Sequence, residues 1–224
     1  MSGDSQQSSV WPARERPNLI CPAQLPPRSH SRAGFSLIEM LVTLALMLII
    51  FVMLYGRGSA SFQRQQKTAC RNNLMTLYMA LDLYSRENNG AFPAKVGAST
   101  AETPLALLVP KYTTTLAPFI CPGTKDSPLT ENQSLDGRAI SYAYYMGLRS
   151  TDTNAPLMSD RQVNANAKQL NDPVFSANGK GPGSNHHKYG GNILLCGGEV
   201  ESIGVKAQCA LPAADNVKLL NPRK

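Results

Sequence analysis

Gly34-Phe35-Ser36-Leu37-Ile38-Glu39-Met40-Leu41-Val42-Thr43-Leu44-Ala45-Leu46-Met47-Leu48-Ile49-Ile50-Phe51-Val52-Met53-Leu54-Tyr55 is the stretch that decides the fold of this chain. The 21 residues from Phe35 to Tyr55 contain one formal charge, Glu39. At 1.5 Å rise per residue they are long enough to cross a hydrocarbon core of about 30 Å. An ionisable side chain at the centre of a membrane helix costs on the order of 2.5–3.5 kcal/mol, so a carboxylate kept there calls for a partner or a task. The plain alternative is that Glu39, one turn inside the helix start, reaches headgroup water. Just before the apolar run lie Arg28, His30 and Arg32, then the small pair Ala33-Gly34. In a secretory signal the small-residue site follows the apolar region. Here it precedes it, so a cut at Gly34 leaves the membrane helix on the mature chain.

At Gly34-Phe35-Ser36-Leu37-Ile38-Glu39 the chain resembles the type IV pilin and type II secretion pseudopilin superfamily, whose precursors carry this run before an unbroken apolar helix. The resemblance implies cleavage between Gly34 and Phe35 by a prepilin peptidase, followed by N-methylation of Phe35. It also places Glu39 where the family keeps its buried acid. The new amino terminus is a cation, and a carboxylate on a neighbouring subunit neutralises it. At 4 Å such a pair gains about 4 kcal/mol at an effective dielectric of 20, before desolvation is subtracted. Glu39 is therefore read as an assembly determinant.

The remainder suits a membrane-anchored exported chain. Only 17% of the 224 residues are charged, while 16 prolines and 17 glycines suggest a loop-rich head. The net charge of +7 raises nucleic acid as a partner. It is spread out, however. In residues 1–34, four arginines (Arg14, Arg16, Arg28, Arg32) less Asp4 and Glu15 leave +2, and Arg57, Arg64, Lys67 and Arg71 follow the apolar run. No dense basic block with interleaved aromatics appears, so a solvated face against lipid headgroups is favoured over DNA. Basic residues flank both ends of the span, and the positive-inside count does not orient it. The resemblance does: leader in the cytoplasm, head in the periplasm, anchor in the inner membrane, and a pseudopilus after assembly.

Four segments are expected. Residues 1–34 form a cleaved leader, rich in Pro12, Pro17, Pro22, Pro26 and Pro27 and read as disordered. Residues 35–55 form the membrane and assembly helix. Residues 56–90 continue the long helix past Gly56 and Gly58, where two glycines weaken it. Leu74, Leu77, Tyr78, Leu81 and Tyr84 give this part a buried stripe that stops at Asn88-Asn89-Gly90. Residues 91–224 form the head. The fold class is α+β: a long N-terminal helix, its first half transmembrane, packed on a small antiparallel sheet. In the head, Thr103 caps a helix with Pro104 at its first position, running to about Val109. Phe119-Ile120-Cys121-Pro122 is a brief strand or loop docking on the helix, and residues 139–146 alternate as a strand.

Asn88-Asn89-Gly90 with Phe92-Pro93 also resembles the helix end of G-like major pseudopilins, which implies a secretion pseudopilus. A type IV pilus or competence minor pilin is the alternative. Residues 184–201 are similar to the ending of many planctomycete and verrucomicrobial pilin-like proteins. Gly197 replaces the usual Asp and Glu199 the usual His, but the hairpin around Gly197-Gly198 survives. The family implies as partners other pilin-like subunits, an inner-membrane platform protein and an assembly ATPase.

Beyond the leader the cysteines are Cys70, Cys121, Cys196 and Cys209, an even number that favours disulfides and leaves three connectivities open. His186 and His187 are adjacent and no C-x-x-C occurs, which argues against zinc. Some G-like pseudopilins hold calcium in their C-terminal loops. The segment with Asp152, Asn154, Asp160, Asn164, Asn166, Asn171 and Asp172 offers oxygen ligands, though without a calcium loop's spacing, and a polar surface loop is the simpler reading. A membrane-tethered enzyme would need a nucleophile and base. Cys121 or Ser184 with His186 lacks any supporting motif such as G-x-S-x-G, so no enzyme and no cofactor is expected.

Overall fold

The computed structural model describes residues 34, 36–56, 58–131, 134–208, 210–211 and 216–223. Residues 1–33 of the leader, Phe35 and Cys209 lie outside the described residues, and so does the disorder expected of the leader. The architecture is α+β and pilin-like, and the chain divides into two compact units, Met1–Leu48 and Ile49–Lys224.

Helix α1, Leu37–Gly56, is 20 residues long. Its residues from Leu37 to Leu54 form an apolar window long enough to cross a membrane, and none of that window is buried by protein. Helix α2, Gly58–Glu87, is of another kind. Leu74, Leu77 and Leu81 are at most 2% exposed, and Tyr78 and Tyr84 pack beside them, as the 3.6-residue stripe predicts. The helix stops where expected. Asn89 and Gly90 both take positive φ, and the Gly90 N–H donates to Ser85 O at 2.7 Å, a left-handed closure of the last turn.

The head is a five-stranded antiparallel sheet made of β1 (Tyr142–Met146), β2 (Pro156–Asp160), β3 (Gly191–Leu195), β4 (Val200–Ile203) and β5 (Lys218–Leu220). The order is β4-β3-β2-β1-β5, so the last strand of the chain closes the edge beside the first. Helix α2 packs on this sheet, and one core contains Leu74, Leu77, Leu81, Tyr142, Tyr144, Met158 and Leu194. The second half of the helix thus packs on the sheet, as the sequence predicts. Successive strand residues face opposite ways, and Ile193 accordingly joins a second cluster with Val174, Phe175, Ile203, Ala207 and Leu211.

Two local expectations are corrected. The short helix α3 is Glu102–Leu105, with Ala101 at its N-cap and no side-chain cap; Thr103 and Pro104 lie inside it. Glu102 is buried and accepts the Arg223 N–H at 2.6 Å, which ties this turn to the C-terminal segment and sets its start. A 3-10 turn, Ala106–Leu108, follows it. Strand β1 begins at Tyr142 rather than 139, and Tyr142, Ala143, Tyr144 and Tyr145 are all buried, because β1 lies between β2 and β5 and both its faces are covered. The Phe119-Ile120-Cys121-Pro122 segment docks on α2 as a loop, its first residue closing a 3-10 turn, Ala117–Phe119. The hairpin turn is as expected: Gly198 has φ +90°, and a Cβ there would meet the Tyr78 ring at 2.6 Å.

Candidate functional site

The N-terminal site is built on the first turn of α1. Ser36 O accepts from the Glu39 N–H at 3.0 Å and the Met40 N–H at 3.2 Å, so Ser36 occupies the entry position of the helix. Glu39 is the one acidic residue of that first turn and is exposed. Around it Leu37, Ile38, Met40 and Leu41 are 58–80% exposed, a bare apolar surface with a single carboxylate in it. Gly34 is also exposed, with open space around its Cα.

Residues 29–55 match the family model of the prokaryotic N-terminal methylation motif. The chain therefore carries a type IV pilin-like prepilin signal. Such a signal implies processing by a prepilin peptidase and assembly with other pilin-like subunits, and the apolar helix is compatible with a membrane anchor. No curated protein and no solved structure matches the chain.

The second constellation lies between α2 and the sheet. Cys70 on α2 is bonded to Cys121, closing a loop of 51 residues and fastening the helix to the head. By the loop-entropy relation a loop of that length is worth about 4 kcal/mol. Sequence left the pairing open, and among the described residues Cys70–Cys121 is the bridge formed. Cys196 is a buried free thiol, contrary to the expectation that it enters a bridge. Burial pushes that thiol up to about 12, with Asp152 adding in the same direction, so it stays protonated and unreactive at neutral pH.

Beside the bridge, Asp160 ends β2 with no exposed surface. Its Oδ2 accepts the Asn192 N–H at 2.7 Å and Asn192 Nδ2 at 3.0 Å, and its Oδ1 accepts Asn185 Nδ2 at 2.9 Å. His186 Nε2 lies 3.2 Å from Asp160 Oδ2 and 3.6 Å from Cys121 Sγ. Both neighbours thus face one ring nitrogen, while Nδ1 has no hydrogen-bond partner among the described residues. A nucleophile–base–orienter relay would use the two ring nitrogens separately. Here the sulfur is bridged and the carboxylate shares its nitrogen.

Lys67, on the same helix as Cys70, donates to Ile203 O at 2.7 Å and Tyr189 O at 3.1 Å. Burial lowers its pKa, and the Asp160 carboxylate pulls the other way. Asn73 Nδ2 donates to Ile120 O at 2.9 Å, Gln66 Nε2 to Pro122 O at 2.9 Å, and Tyr78 OH to Cys196 O at 3.2 Å. Polar anchors of this kind run along the helix and set its register on the head.

The oxygen-rich segment does not gather into a calcium site. Asp152 Oδ2 accepts the Arg149 N–H at 2.8 Å and Asp172 Oδ2 the Gln169 N–H at 2.7 Å, each inside its own exposed turn, while Asp160 is buried among asparagines. Among the described residues the three carboxylates form no cluster. Sequence reading missed Asp160 as a structural hub. The signal available for it was a carboxylate at the end of an apolar run, Leu157-Met158-Ser159-Asp160, paired with Asn185-His186.

Proposed function

We propose that this chain is a structural subunit of a type II secretion pseudopilus, cut after Gly34, methylated on Phe35, and recruited through Glu39 to the amino terminus of a neighbouring subunit. The single observation that carries the reading is the prepilin signal followed by an apolar helix with no covering protein, beside a head that keeps its own core. Cleavage frees the cation that Glu39 needs, and the bare helix supplies the packing surface. In this reading the leader is cytoplasmic, the head periplasmic, and a platform protein with its ATPase adds subunits from the inner membrane. The secretion branch is favoured by the Asn88-Asn89-Gly90 stop with Phe92-Pro93 behind it. Phe92 is 3% exposed and Tyr144 OH donates to Pro93 O at 2.7 Å, so this signature locks the helix end to β1.

The subunit works by packing rather than by catalysis. A bridged Cys121 sulfur and a His186 that uses one nitrogen for both neighbours support that reading. The test is intact mass and N-terminal sequencing of the chain co-expressed with an active prepilin peptidase. A product beginning at methylated Phe35 is expected, and an uncut chain overturns the proposal. Deletion in the native host then separates the branches: lost protein export supports the pseudopilus, whereas intact export with lost DNA uptake or twitching transfers the subunit to a pilus.

A further inference from the structure

Cys70, Cys121, Asp160 and His186 come from four separate parts of the chain and are all fully buried. Their ligand atoms lie within 4.8 Å of one another. We propose that, when the Cys70–Cys121 bridge is reduced, these four residues form a tetrahedral zinc-class metal site, so that α2 is held to the head by a sulfur–sulfur bond in one redox state and by a divalent metal in the other.

The donor set is the first argument. Two thiolates, an imidazole and a carboxylate are the ligand types that borderline-soft, four-coordinate Zn²⁺ takes. The spacing is the second. Metal–ligand bonds of about 2.0–2.3 Å in a tetrahedron place ligand atoms roughly 3.3–3.8 Å apart. His186 Nε2 already stands 3.6 Å from Cys121 Sγ and 3.2 Å from Asp160 Oδ2. The remaining ligand atoms lie within 4.8 Å, and the two sulfurs must separate, which breaking their bond permits.

Outer contacts are the third. Asn192 and Asn185 grip the carboxylate with three hydrogen bonds, the kind of support that orients a ligating carboxylate. Charge is the fourth. Two thiolates and a carboxylate against a divalent ion leave one negative charge, and the Lys67 ammonium, within electrostatic reach of Asp160, offsets it. The bridge alone explains none of this. A disulfide packs well against apolar neighbours, whereas a carboxyl group without solvent contact and an imidazole with an unpartnered Nδ1 are costly company.

A cleft of about 340 Å³, lined by Gln63, Thr124, Arg161 and His187 among others, opens at Gly123, beside the Nδ1 side of the His186 ring. The redox step balances with a dithiol as reductant: two electrons and two protons pass to the bridge, two thiols form, and the dithiol closes to its own disulfide. The metal then displaces both thiol protons to solvent.

The test uses the full chain in detergent micelles. It is reduced by a dithiol, freed of reductant under anaerobic conditions, and titrated with Zn²⁺ alone against a chromophoric chelator. One zinc per reduced chain and none on the oxidised chain is expected. Co²⁺ in place of Zn²⁺ should give a thiolate charge-transfer band and tetrahedral visible bands. His186→Gln and Asp160→Asn should each weaken zinc binding by about tenfold or more, while still closing the bridge on reoxidation, which shows they are folded. A variant that fails to close it is set aside, and the cobalt spectrum of the unaltered chain decides. Absence of zinc on the reduced chain, equal zinc on the oxidised chain, an octahedral cobalt spectrum without a thiolate band, or variants that bind as tightly as the original each overturn the proposal.

Discussion

Two carboxylates in this molecule sit in apolar surroundings and are treated in opposite ways. Glu39 stands on α1 among exposed Leu, Ile and Met, with no side-chain partner among the described residues. Asp160 ends β2 with no solvent contact and accepts three hydrogen bonds from Asn185 and Asn192, with His186 beside it. The contrast separates two uses of charge. A carboxylate whose partners belong to the same chain is part of the fold. One left without them is open to a partner on another molecule, the role proposed for Glu39.

The contrast breaks most readily at Asp160. Asp160→Ala should destabilise the head by about 3–5 kcal/mol, because it strands several buried donors. Denaturant unfolding of the full chain in micelles measures it, and an unchanged midpoint would show that the asparagines find other acceptors. The double variant Cys70→Ser, Cys121→Ser should cost about 2–4 kcal/mol by releasing the 51-residue loop. Comparing oxidised and reduced protein checks that figure without mutation. Gly198→Ala should lose about 1–3 kcal/mol, since its φ of +90° and the Tyr78 ring at 2.6 Å both resist a Cβ. Cys196 should resist alkylation in the folded head near pH 8 and react only on unfolding, because its thiol is pushed up to about 12. Glu39→Ala stands at the small end for stability. The unfolding midpoint should not move, while co-sedimentation with other pilin-like subunits should fall sharply. Normal incorporation would remove Glu39 from assembly.

Helix α1 was legible because its signal is local. Length, apolarity, a single acid and a preceding Gly34 lie within one short stretch, and no distant residue alters their meaning. The stripe Leu74, Leu77, Leu81 and the stop at Asn89-Gly90 were legible for the same reason, since helical period and left-handed closure are properties of neighbouring residues. The start of α3 was misread because Thr103-Pro104 is a sound local cap signal that a distant contact, Glu102 with the Arg223 backbone, overrides. Asp152, Asp160 and Asp172, near one another along the chain, part for a related reason: Asp160 is drawn under α2, while Asp152 and Asp172 close exposed turns.

What the sequence by itself determined is the apolar helix with its prepilin signal, the α+β class, and the amphipathic face of α2, all carried by runs of adjacent residues. Only the tertiary structure decided that Cys70 bonds Cys121, that Cys196 stays a thiol, that β5 returns beside β1, and that Asp160 and His186 meet the bridge. Those contacts join residues far apart in the chain, where the choice among partners is made by the packing of α2 on the sheet and not by any residue's immediate neighbours.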